Sequence, residues 1–278
     1  METQLLRGTA VRDAVLAELK AYKPGFTIAG NCGHNIGTDY VKRYEVDFHY
    51  SDNNFIPDPS RWWNASKAHR ALGSALLLHP NVHMSKDVRR KLIALGYANG
   101  AHVITPWDEY IHGKARLFAD PADFADLYGF ARALGQQGYL NGYEDAAVGG
   151  YDLKETRYGN MPPIAVSGGS GKLSAFARAK PGQTGAPLVI HLAEWGKPAP
   201  AKVRLRSSGF FADSAITVSL QVPPEYEAGT HEKVEESKDY SPLSSETTLD
   251  TESEGDWLTV GVPALRPWGV LVVSRSTE

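Results

Sequence analysis

The stretch Ser74-Ala75-Leu76-Leu77-Leu78-His79, then Ser85 leading into Lys86 to Asn99, then Gly100 and Ala101-His102-Val103-Ile104-Thr105-Pro106, decides the reading of the first half of the chain. A short apolar run stops at Pro80, Ser85 is a cap residue ahead of a helical pattern, Gly100 closes that helix, and a second apolar run follows. Strand, helix and strand in that order predict two parallel strands joined by a right-handed crossover.

The same alternation extends in both directions. Upstream, Val11, Val15, Leu16 and Leu19 fall at helical spacing between Thr9 and Tyr22, with Pro24-Gly25 as the stop. Phe26 to Ala29 reads as a first strand, Thr38 to Tyr44 as a short helix, Val46 to Tyr50 as a second strand, and Arg61 to Leu72 as a helix begun by Asp58-Pro59-Ser60. Downstream, Asp120-Pro121 opens a helix through Leu134. Four strand–helix units ending there are about half of the ~250 residues of a closed eight-fold barrel. They make either an open α/β sheet or the second half of a barrel.

After Tyr143 the pattern changes. Leu173 to Ala179, Leu188 to Trp195, Lys202 to Arg206, Ala215 to Val222, Trp257 to Val262 and Val270 to Ser274 read as strands broken by Pro-Gly, Gly-Lys-Pro and Pro-Pro, which indicates an antiparallel sandwich. The fold class expected is therefore α/β plus all-β: a partial (half) TIM-type (β/α) barrel over 1–145, a linker over 146–163, and a C-terminal β-sandwich over 164–278. An acidic insertion at 224–256, from the Pro223-Pro224 run to Asp256, reads as a mobile segment.

Composition excludes several classes. Across 278 residues, 29 Lys+Arg stand against 32 Asp+Glu, a formal charge of −3, with no concentrated basic run of the kind that binds nucleic acid. No apolar run approaches the ~20 residues needed to span a bilayer, so no membrane partner is expected. The single Cys32 forms no internal disulfide. Met1 to Gly8 lacks the order of a signal peptide, which fits a cytoplasmic protein or a secreted parent whose N-terminal part is missing.

In parallel α/β architectures reactive groups gather at the C-terminal ends of the strands. Here those ends deliver Asn31, His34 and Asn35; His49, Tyr50 and Asp52; His79, Asn81 and His83; and Trp107, Asp108 and Glu109. Aromatic faces stack on sugar C–H groups, and carboxylates, amides and imidazoles bond hydroxyls. Glycosidic cleavage needs two carboxyl groups, about 5–5.5 Å apart for retention or ~6.5–9.5 Å for inversion. Asp52, Asp108 and Glu109 are the candidate catalytic acids, and Asn35, His49, Tyr50, His83 and Trp107 the candidate substrate-binding residues. The plainer readings are that Asp108 caps a turn and that Asp52-Asn53-Asn54 forms a loop. His79 and His83 are separated by Pro80 and have no third ligand, so no metal is expected. Gly168-Gly169-Ser170-Gly171-Lys172 lacks the hydroxyl after lysine of a phosphate loop and reads as a hairpin turn. Trp62-Trp63 reads as core.

The run from Ala98 to Tyr110, with Arg116-Leu117-Phe118 and Asp120 to Phe130, resembles the last strand and helix of bacterial barrel proteins related to glycoside hydrolases. Leu188 to Leu192 and Val262 to Val273 are similar to the C-terminal β-sandwich that closes many such enzymes. The resemblance implies a carbohydrate substrate, hydrolysis through paired carboxylates, and no organic cofactor. It also implies a nucleophile at the end of the seventh barrel strand. If the strands correspond to the last four, that strand ends in Leu78-His79-Pro80-Asn81, without a carboxylate. The chemistry then rests on residues such as Asp52 and Asp108, or the chain is a carbohydrate-binding or assembly module, or a half barrel completed by pairing with another copy as a homo-oligomer.

Overall fold

The computed structural model describes residues 2–31, 37–38, 41, 47–52, 58–79, 84–103, 110–111, 115–116, 123–153, 163–206, 210–211, 215–224 and 244–276. The first unit comprises α1 (Glu2–Tyr22), β1 (Ala29–Asn31), β2 (Phe48–Asp52), α2 (Pro59–Ala71), β3 (Ala75–His79), α3 (Lys86–Ala98), β4 (His102–Val103), a small hairpin of β5 (Tyr110–Ile111) and β6 (Ala115–Arg116), and α4 (Ala125–Gln136). β1 to β4 form a parallel sheet in chain order, as the strand–helix alternation predicts.

Local chemistry sets the helix ends. Asp58 caps α2 by accepting from the Arg61 N–H at 3.0 Å, with Pro59 in the first turn. Ser85 caps α3, accepting from the Val88 N–H. Gly100 ends α3 with φ +70°, and a Cβ there would lie 2.6 Å from Arg178 Nη1 and 2.9 Å from Arg70 Nη1. Glycine is thus favoured at this turn by its left-handed backbone conformation, with two guanidinium groups laid against it.

β1 and β2 lie about two residues later than the sequence pattern indicates. The Ile28 carbonyl accepts from the N–H groups of Asp47 and Phe48, both at 3.0 Å, so regular ladder pairing begins beyond it. α1 begins well before Thr9, and α4 begins at Ala125, after the Asp120-Pro121 signal. Most of the stretch Thr38 to Tyr44 lies outside the described residues, with Val41 helical and buried.

The remainder folds as two antiparallel sheets. β13 (Ser245–Leu249), β12 (Ile216–Val222), β16 (Trp268–Arg275), β10 (Leu188–Glu194), β9 (Leu173–Ala179) and β7 (Glu144–Gly150) form six strands in that order. β14 (Thr251–Glu254), β15 (Trp257–Val262), β11 (Ala201–Arg206) and β8 (Ile164–Gly168) form four. One apolar cluster draws on both sheets, with Ala175, Ile190, Leu192, Val218 and Leu271 from the larger and Ile164, Val203, Leu205, Leu258 and Val260 from the smaller.

Three sequence readings are corrected here. Glu144–Gly150 straddles the expected end of the first unit and the start of the 146–163 linker, yet it is an edge strand paired with β9. Its polar residues hid it: Asp145 is held by half-buried Arg70 and buried Arg178. Part of the 224–256 insertion is ordered, since Ser245–Leu249 pairs with β12 and Thr251–Glu254 with β15. Their apolar content is low because they are exposed edge strands, with no second face to bury. The Gly168 to Lys172 turn joins β8 to β9, strands of different sheets, so it crosses between layers and is not a hairpin within one.

The larger sheet is covered on its other face by α3 and α4. Ile93 and Ala94 of α3 and Phe130 and Leu134 of α4 pack with Val189, Trp268, Val270 and Val272. That is why β10 and β16 are largely apolar at successive positions: both faces are buried. Trp62 and Trp63 of α2 join Leu76, Leu78, Phe176 and Ala193 in the adjoining cluster, so they are core, as read. No described helix is long and apolar enough to cross a membrane.

His191 sits in this covered layer, stacked on Trp268 with ring centroids 6.0 Å apart, and neither ring nitrogen has a hydrogen-bond partner among the described residues. Burial first, and then the charge of Arg178, hold its pKa well below the ordinary 6.5. Unfolded, the imidazole takes up a proton near pH 6.5, so the stability tied to its neutral form is complete above that value and lost as pH falls below it. In urea titrations at stepped pH below 6.5, unfolding free energy is expected to drop by about 1.4 kcal/mol more per pH unit in the native protein than in His191→Leu. Equal slopes would refute the assignment.

Candidate functional site

The sheet register brings two expected groups together at the C-terminal rim. Asn31, Tyr50, Leu77 and His102 lie in one row across the four strands, and Asp52 is the register partner of His79 in the next. Side chains alternate along a strand, so Tyr50, Leu77 and His79 share the face away from α2. The Tyr50 and His79 rings stand 6.3 Å apart at 43°. A phenol and an imidazole thus stand together on one part of the rim, with Asp52 paired to His79 in the backbone register. Such a set can bond hydroxyl groups and pass a proton.

His49 is displaced from the expected mouth. It has the opposite parity, is fully buried, and meets the ring of His69 on α2 edge-on at 4.5 Å. It belongs to the layer beneath the helices and cannot touch a ligand at the rim. The sequence offered no means of telling the two faces of β2 apart, because both carry polar or aromatic residues. Asn35, His83, Trp107, Asp108 and Glu109 lie outside the described residues.

A carboxylate pair that the sequence did not mark stands on the same side of the molecule, at the N-terminus of α2. Asp58 and Asp152 share a side-chain hydrogen bond, with Ser60 Oγ donating to Asp58 at 2.9 Å. Burial pushes the Asp58 carboxyl up, but the Arg61 N–H and the bonds to Asp152 and Ser60 outweigh it and hold it below its ordinary value. Asp152 is raised, chiefly by that bond to Asp58. Asp152 is the one described non-glycine residue with positive φ, at 56°. A composition reading has no signal for either property. Among the described residues no group of three or more His, Cys, Asp or Glu could hold a metal ion.

Comparison with protein-family models gives no match, and no curated protein matches. Among solved structures, an α-amylase from Anoxybacillus, placed in a new glycosyl hydrolase subclass, is similar with a TM-score of 0.56 at 11% identity, covering 97% of this chain and 57% of its own. A GH30 endoxylanase from Clostridium papyrosolvens C71 gives a TM-score of 0.44 at 10% identity, over 92% of this chain and 58% of that one. A family 44 xyloglucanase from Paenibacillus polymyxa gives 0.46 at 10% identity, over 98% and 60%. The chain spans about three fifths of the length of these structures. It has a glycoside hydrolase-like fold, with a four-stranded parallel sheet that fits part of a barrel.

Proposed function

We propose that the chain is a carbohydrate-active protein of glycoside hydrolase type, acting on a poly- or oligosaccharide at the C-terminal rim of a partial (β/α) barrel backed by a β-sandwich. In this reading two of Asp52, Asp108 and Glu109 supply the chemistry: one protonates the leaving oxygen, and the other serves as base or nucleophile. Asn35, Tyr50, His83 and Trp107 hold the sugar. The observation that supports the proposal is the pairing of the Tyr50 and His79 rings at the C-terminal ends of adjacent parallel strands, with Asp52 the backbone register partner of His79, in a fold similar to that of an α-amylase.

Release of reducing sugar from starch, xylan, xyloglucan and arabinan tests it. Asp52→Asn, Asp108→Asn and Glu109→Gln are assayed singly, and two of the three are expected to lower kcat/KM by about 10²–10⁴-fold, the usual worth of a positioned acid or base. Activity unchanged in all three would overturn the residue assignments. A second reading is glycan binding without turnover. It is distinguished by binding on the same panel without product.

A further inference from the structure

On the flank of the rim, α3, the end of β10 and the turn into β16 enclose a cleft of about 200 Å³. Its anchor is Glu194, a carboxylate residue only 2% exposed. Glu194 Oε1 accepts from Ser170 Oγ and from the Gly196 N–H, each at 2.6 Å. Position 196 has to be glycine, because a Cβ there would lie 2.1 Å from Ser170 Oγ and 2.5 Å from Ser170 Cβ. The inter-sheet turn and the chain after β10 together fix this carboxylate before any ligand arrives, which is the preorganisation a binding site needs.

The opposite wall supplies donors. Arg90 is held by Asp126, with Nη1 to Oδ1 at 2.8 Å, and Lys91 donates to Asp87 at 2.6 Å. Arg266, exposed at the lip, has no ion-pair partner among the described residues. Three cations face three carboxylates across the cleft and its immediate supports, so a free anion or cation gains no net attraction. A hydroxyl group both donates and accepts, so a polyol can satisfy a fixed carboxylate and several N–H donors at once. Leu265 and Pro198 give the cleft an apolar side against which sugar C–H groups can lie. Clefts at the junction of packed units are where small-molecule sites preferentially form.

We propose that this cleft is a second saccharide subsite, taking one neutral pyranose unit. The proposal rests on the carbohydrate reading and extends it. α3 begins at the connection leaving the C-terminal end of β3, so its first turns stand on the rim side. A ligand held both here and at the rim has to carry more than one sugar unit, which fits a poly- or oligosaccharide.

The test is an NMR titration of the full chain with methyl β-D-xylopyranoside and methyl α-D-glucopyranoside. Saturable shifts are expected at Gly196 and Leu265 for at least one of them, with affinity at least tenfold weaker in Arg266→Ala and in Glu194→Gln. Arg266 is exposed, so its removal leaves folding intact. Shifts confined to Tyr50 and His79 overturn the subsite while leaving the rim reading in place; no saturable shift anywhere overturns both. Shifts at Gly196 and Leu265 that persist undiminished in both variants also overturn it.

Discussion

Replacing Asp145 with alanine is expected to lower the unfolding free energy by about 3–5 kcal/mol in urea titration, the usual cost of stranding a buried charge. Asp145 lies on β7 between two guanidinium groups: Arg70 of α2 bonds its Oδ2, and Arg178 Nη2 of β9 lies 3.7 Å from its Oδ1. The Arg178 side chain is only 7% exposed. Burial pulls its pKa down to about 10, Asp145 opposes that shift, and Arg70 adds to it. Without Asp145 the two cations repel each other with no anion between them. The carbonyls that remain, Ala98 accepting from Arg178 at 3.0 Å and Asn99 from Arg70, carry only partial charge. Removing both ends of the pair, as Asp145→Ala with Arg178→Met, should restore most of the loss, because the desolvation penalty disappears with the charge. A single-variant loss under about 1 kcal/mol would show that water reaches the cluster.

Trp268→Ala should cost a similar amount, about 3–5 kcal/mol, through a cavity and not through charge. The indole is fully buried. It stacks on Tyr97 of α3 at 5.6 Å and 10°, meets Phe130 of α4 edge-on at 4.8 Å, and covers His191. Four elements lose contact surface together, and their rigid packing leaves little room for collapse. Guanidinium unfolding followed by circular dichroism measures this. Trp268→Phe, which keeps an aromatic face, is expected to recover part of the loss.

The parallel unit was legible because its signals are local. Apolar runs of strand length, Ser85 and Asp58 as caps and Gly100 as a stop each act within a few residues, and each appears where the sequence put it. Most strands from Leu173 onward were legible for the same reason, and Trp257–Val262 falls on the predicted residues; Ser245–Leu249 and Thr251–Glu254, polar edge strands, were not. What escaped depends on partners far along the chain. Glu144–Gly150 is a strand only because Leu173–Ala179 lies beside it. The burial of His49 follows from which face of β2 meets His69. Asp58 and Asp152 meet across 94 residues of chain, and neither neighbourhood signals the encounter. The Glu194 cleft was invisible for a further reason: its parts come from α3, β10 and the turn before β16, none of which shows a motif alone.

The double covering of the six-stranded sheet bears on how such a protein can be inherited. Two modules joined by a loose tether can be swapped between genes like cassettes, since each keeps its own interior. Here Trp268, Val189 and Phe176 from the C-terminal part form the floor on which the N-terminal helices rest. A recombination that brought in a foreign partner would have to match that floor side chain by side chain, so the two halves are bound to change together.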